Sequence, residues 1–302
     1  MNQGMSKPVM VVGIDSSPRA QKVIEAARLM AERMNASVVL AGAVEGLELR
    51  GLIPAELATW KGDSLTSALD KSTRAAVAKA AEQFHPGTVI DQKVEAAAPW
   101  RMLVNEAKRR NASLIVLGAH GYRPVERMLG TTAAKVANRA ECSVLVVRQA
   151  PEQKAPVGFE RIAVAHDGSE RATGVLNAAV ALARPSSGRI ILIRGVVPPN
   201  EVTPAIWGKG PDEIMALLEQ AAKVALDKIR GSLPDGVPGE TCARIGIPSE
   251  IVRDIARDKD ATLLVIGSHG FDALDRVLGT TAGRIVNVAD RSVLIIRGNA
   301  LA

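Results

Sequence analysis

Two short stretches of this chain carry residue types that can do chemistry. Gly118-Ala119-His120-Gly121, followed by Leu129-Gly130-Thr131-Thr132, recurs as Gly267-Ser268-His269-Gly270 and Leu278-Gly279-Thr280-Thr281. Glycines at the end of a strand let backbone N–H groups approach an oxyanion with no Cβ in the way. A helix start just after them adds partial positive charge, and the paired threonines add hydroxyls where phosphate oxygens would lie. A single such loop reads more readily as a tight turn with a threonine helix cap. Retention of both glycine pairs and both threonine pairs in a repeat turns that preference toward phosphate binding.

Two carboxylates stand at matching places, Asp15 and Asp167, each after the first apolar run of its half. Beyond the carboxyl end of a parallel strand, at the point where strand order reverses, a carboxylate can accept both hydroxyls of a ribose; it can equally cap the next helix. His120 and His269 sit inside the glycine loops, but without a carboxylate to orient them they read as phosphate or solvent neighbours rather than catalysts. No Walker lysine follows either loop, and no metal-ligand spacing occurs. Fast phosphoryl transfer is therefore not expected, and no metal or catalytic residue is assigned.

The elements that must position these groups follow from periodicity. In the first half, apolar runs at 9–14, 37–44, 89–94, 113–117 and 143–147 alternate with amphipathic helical patterns, and an irregular stretch runs from Glu45 to about Asp63. The second half repeats the order from Arg161 to Ile296. A long helix there is marked by the apolar positions Ile214, Leu217, Leu218, Ala221, Val224, Ala225 and Ile229. Gln149 to Glu160, with prolines, glutamines and mixed charge, reads as a linker. The chain is thus α/β: two tandem doubly wound domains, residues 1–149 and 156–302. Each is a five-stranded parallel sheet of order 3-2-1-4-5 with helices on both faces. Residues 118–148 and 267–297 match without a gap at roughly half their positions, which marks a duplication.

Composition narrows the function. The chain has 302 residues, enough for two ordinary cores, and 47% of them are hydrophobic but only 2% aromatic. Such cores are built from Val, Ile, Leu and Ala, as parallel sheets are. A net charge of +6 without an aromatic platform favours nucleotides and other small anions over specific nucleic-acid binding. The first apolar run is too short for a signal or membrane segment, and Cys142 and Cys242 form no disulfide or zinc pattern. A cytoplasmic protein with no membrane partner is expected.

Asp167-Gly168-Ser169-Glu170, Gly246-Ile247-Pro248, Leu264 through Gly270 and the closing Ser292–Ile296 resemble the tandem universal stress proteins, over nearly the whole chain. The ATP-binding branch of that family carries Gly, two residues, Gly, nine residues, Gly, then Ser or Thr. Here the long spacer is one residue shorter, Tyr122–Leu129 and Phe271–Leu278, in both copies.

The resemblance implies a stress-response regulator that binds ATP, with or without Mg. Asp15 and Asp167 would hold ribose, and the backbone near Ala43 and Val196 would meet adenine. Gly118, His120, Gly121, Gly130, Thr131 and Thr132, with Gly267, His269, Gly270, Gly279, Thr280 and Thr281, would surround the triphosphate. If only one site is occupied, the second, with the family's more usual Asp-Gly-Ser, is expected. At most slow ATP hydrolysis or autophosphorylation is implied. Pairing of the last strands, through Val144–Val147 and Val293–Ile296, would make an internal pseudo-dimer, and a homodimer is allowed. A different reading makes the glycine loops purely structural parts of a protein-interaction module that binds no nucleotide.

Overall fold

The computed structural model describes residues 7–44, 55–119, 129–150, 152–197, 210–268 and 278–298, and the side chains of all of these except 55–66 and 211. The chain divides into two compact units between Val147 and Arg148.

In the first unit the order is β1 (Val9–Gly13), α1 (Ala20–Met34), β2 (Ser37–Val44), α2 (Ala55–Ala81), β3 (Val89–Ala96), α3 (Pro99–Arg109), β4 (Leu114–Gly118), α4 (Thr131–Arg139) and β5 (Ser143–Val147). The strands lie in the order β3-β2-β1-β4-β5, all parallel. The central strands are apolar throughout because helices cover both their faces. Met10, Val11, Val12, Leu114, Ile115 and Val116 are fully buried. One face of α1 supplies Val23, Ile24, Ala27, Met30 and Ala31 to the core. The helix ends at Asn35, whose left-handed backbone turns the N–H of Ala36 back to the carbonyl of Ala31 at 2.9 Å.

The second unit repeats the plan: β6 (Arg161–Ala165), α5 (Arg171–Ala183), β7 (Arg189–Val196), α6 (Pro211–Arg230), β8 (Gly239–Ile245), α7 (Pro248–Asp258), β9 (Leu263–Gly267), α8 (Thr280–Val288) and β10 (Val293–Ile296). Its strands are ordered β10-β9-β6-β7-β8, again parallel. Read from the other edge this is 3-2-1-4-5, so each sheet reverses direction between its first and fourth strands. That is where open parallel sheets take ligands.

Three readings from sequence are corrected or refined. The stretch after β2 is helical from Ala55 rather than irregular to Asp63; alanine, leucine and glutamate make 55–58 good helix formers despite Gly62. In α6 the buried stripe runs through Ile214, Ala222 and Leu226, while Leu217 and Val224 are exposed at 46% and 45%. Apolar residues occur on more than one side of this helix, and packing against β7 and β8 chose the side.

The stretch 149–160, read as a linker, contributes several of its described residues to the second unit's packing. Ala150, Val157 and Phe159 are buried, and the Ser292 hydroxyl, with one proton to give, lies 2.8 and 2.7 Å from the carbonyl oxygens of Arg148 and Pro156. Gln153 donates to the carbonyl of Ala261 at 3.1 Å.

Candidate functional site

Each unit brings its glycine-threonine turn to the carboxyl ends of its central strands. Gly118 closes β4 and Gly267 closes β9, and a backbone hydrogen bond then draws the next helix up to the strand. The carbonyl of Ala119 accepts the N–H of Gly130, and that of Ser268 accepts the N–H of Gly279, both at 2.8 Å. Gly130 and Gly279 are the N-cap residues of α4 and α8 and supply no side-chain cap. The threonines are therefore not caps, since Thr131 and Thr280 are already the first helical residues. Among the described residues, no backbone carbonyl receives the amides of Thr280, Thr281 and Ala282 in the first turn of α8. Such an end attracts an anion. His120, Gly121, His269 and Gly270 lie outside the described residues.

The aspartates do not cap helices either. α1 begins at Ala20 and α5 at Arg171, neither with a side-chain cap. Asp15 Oδ1 instead accepts the N–H and the hydroxyl of Ser17, at 3.1 and 2.7 Å. Asp167 Oδ1 accepts the N–H of Ser169 at 2.9 Å. The first unit's carboxylate is thus the more occupied of the two, because Ser17 reaches back with its hydroxyl as well.

In the second unit these parts surround a cavity of about 720 Å³, within the range of small-molecule sites. Its wall brings together Asp167, Gly267, Gly279, Thr280 and Thr281, five of the residues singled out from sequence. Val196 is not in the wall, and its carbonyl is already taken by the N–H of Gly246. The register of β6 with β7 and of β1 with β2 makes Gly195, not Val196, the counterpart of Ala43, and Gly195 does line the cavity.

Two lining residues went unread in the sequence, His166 and Arg194. His166 is 4% exposed, and its Nδ1 accepts the N–H of Gly168 at 3.0 Å. Burial pushes its pKa down, with Arg194 adding to that and Asp167 opposing it, so the ring is a neutral group with its proton on Nε2. The Arg194 guanidinium lies across the Asp167 turn: a Cβ added to Gly168 would stand 2.9 Å from its Nη1. The repeat itself held a signal for both residues. The register places His166 opposite the apolar Ile14, and Arg194 opposite Gly42.

Among the described residues no group of three or more His, Cys, Asp or Glu could hold a metal ion, and no described helix is long and apolar enough to cross a membrane.

Comparison with known proteins places these features. The model of the Universal stress protein family matches residues 7–148 and again 158–297. A universal stress protein of Mycobacterium tuberculosis is 27% identical over 311 residues, spanning 100% of both chains. One from Synechocystis is 27% identical over 153 residues, which is 47% of this chain and 99% of that protein. In fold, the chain is similar to the crystal structure of a universal stress protein from Archaeoglobus fulgidus, with a TM-score of 0.64 and 16% identity, over 97% of each chain.

Proposed function

This chain belongs to the universal stress protein family, as two tandem family domains, and from that premise we propose that it is an ATP-binding regulatory protein of the cytoplasm. One observation carries the reading. The second unit's cavity is bounded both by the Asp167 carboxylate and by the first turn of α8 with Thr280 and Thr281. A nucleotide has the matching polarity, with hydroxyls for a carboxylate and phosphates for a helix N-terminus.

In this reading Asp167 accepts a ribose hydroxyl on the oxygen that Ser169 leaves free, and the wall formed by Ile193, Gly195, Pro248 and Val252 holds the base. The amides and hydroxyls of Thr280 and Thr281 hold phosphate oxygens, with Mg²⁺ arriving on the triphosphate. The first unit offers Asp15, Gly118, Gly130, Thr131 and Thr132 in the same places with a more occupied carboxylate, so the second site fills first. The protein acts by changing state with its ligand rather than by turning it over. We also propose an internal pseudo-dimer of the two domains.

Isothermal titration of the full chain with MgATP is the test. Micromolar binding with one site filling before the other supports the reading. Absence of binding below millimolar concentration sinks it in favour of a nucleotide-free interaction module.

A further inference from the structure

We propose that the second unit's cavity selects nucleotides carrying a phosphate on the ribose 2′ or 3′ oxygen in addition to the 5′ position, and that Arg194 is the residue that receives it. The inference rests on the nucleotide reading above and goes beyond it by naming the ligand class.

The cavity has two cationic poles rather than one. β6, with Asp167 beyond its end, lies between β9 and β7 in the sheet. The glycine-threonine turn and the open end of α8 follow β9, whereas Arg194 belongs to β7. The Arg194 guanidinium lies against the Asp167 turn, its Nη1 2.9 Å from where a Gly168 Cβ would stand, so a sugar held by the aspartate has a cation beside its hydroxyls. A 5′-phosphate chain meets α8 and the base meets Ile193 and Gly195, and neither accounts for Arg194.

Arg194 is built to face a ligand. It lines the cavity, it is half-buried, and among the described residues it forms no ion pair or hydrogen bond. Other charges in the wall, Glu170 and Arg171, are adjacent in sequence and of opposite sign. Gly168 makes the placement possible. Its φ is +89°, and a side chain there would run into the guanidinium. A planar guanidinium with free N–H groups binds a phosphate through paired hydrogen bonds. His166, neutral and buried next to it, adds no competing acid.

The first unit lacks this device. Its residues at the two places are Ser16 and Gly42, and a Cβ on Gly42 would already meet Thr73 Cγ2 at 2.6 Å and Val77 Cγ2 at 3.0 Å. No cation can occupy that position against α2. The selectivity therefore belongs to one site per chain.

The experiment is calorimetric titration of the full chain with AMP, adenosine 3′,5′-bisphosphate and adenosine 2′,5′-bisphosphate. It is repeated on Arg194→Gly, the first unit's own residue, and on Arg194→Met, which keeps the stem over Gly168. One bisphosphate is expected to bind about tenfold more tightly than AMP, at one site per chain, and both variants to bring that ratio to about one. Equal affinities in the wild type, or a preference that survives in a folded Arg194→Met, overturn the inference. Should ATP bind without any such discrimination, the inference falls and the nucleotide reading stands. Should no adenine nucleotide bind, both fall.

Discussion

The carbonyl oxygen of Ser268 accepts the backbone N–H of Gly279 at 2.8 Å, joining the end of β9 to the start of α8, and Ala119 and Gly130 repeat the bond at the same distance in the first unit. This bond removes Gly279's N–H from any ligand and leaves the amides of Thr280, Thr281 and Ala282 for one. It also sets how close the helix end stands to the strand end. Gly279 has φ of −57°, which a proline can adopt, so Gly279→Pro deletes the donor while keeping the local backbone. An unmet carbonyl costs about 1–3 kcal/mol. A lower melting temperature and weakened ATP binding are expected together; a variant with unchanged affinity would separate the bond from the site.

Asp167→Asn keeps an oxygen for the Ser169 N–H but loses the charge that a ribose hydroxyl would meet. Hydrogen bonds to charged groups contribute about 1.5–3 kcal/mol, so ATP affinity measured by titration should fall by at least about tenfold. Asp15→Asn should have a smaller effect on the tighter site, because its carboxylate belongs to the other unit.

Glu106 on α3 has a side chain with no exposed surface, bonded by Lys93, Arg109 and Arg110. Burial alone would raise its pKa, but the hydrogen bonds from Arg109, Arg110 and Lys93 outweigh it and hold it at about 2. The folded value lies below the ordinary 4.5, so the stabilisation is complete above about pH 4.5 and is lost as pH falls toward 2. Glu106→Gln should lower stability by about 1–3 kcal/mol at neutral pH. Its denaturant midpoint should converge on that of the wild type as the pH is lowered through that window.

His166 gives a second pH dependence, at higher pH. Its folded pKa is lowered from 6.5 by burial first, with Arg194 contributing and Asp167 opposing. Folding therefore favours the neutral ring, and stability declines as pH drops below about 6.5 toward the folded value. His166→Asn retains an acceptor for the Gly168 N–H and cannot titrate. Its melting temperature should decline less between pH 6.5 and 5 than that of the wild type, and parallel curves would show that His166 is not the titrating group.

Ser292 is fully buried; its hydroxyl receives the Arg148 N–H at 2.9 Å and shares its one proton between the nearby Arg148 and Pro156 carbonyls. Ser292→Ala should destabilise the chain by about 1–3 kcal/mol and speed proteolysis within residues 149–160. Unchanged cleavage there would mean that the segment is held by its other contacts, the buried Ala150, Val157 and Phe159 and the Gln153 bond to Ala261.

Much of the candidate site was legible in the sequence, in that one cavity wall gathers Asp167, Gly267, Gly279, Thr280 and Thr281, because its signals are local. The glycines, threonines and strand-end aspartates act through backbone geometry a few residues away, so their order along the chain marks their place at the sheet's carboxyl edge. Alternation of apolar runs with helical patterns settled the parallel, doubly wound architecture. The tertiary structure decided what depends on neighbours distant in the chain. Arg194 meets Gly168 only because β7 lies beside β6. The Ser17 hydroxyl, although near in sequence, took Asp15 only through the turn's conformation. Leu217 and Val224 of α6 face outward because packing, not hydrophobicity, chose which apolar stripe to bury. Residues 149–160 joined the second unit through Ser292, more than 130 positions away, a pairing that no local pattern encodes.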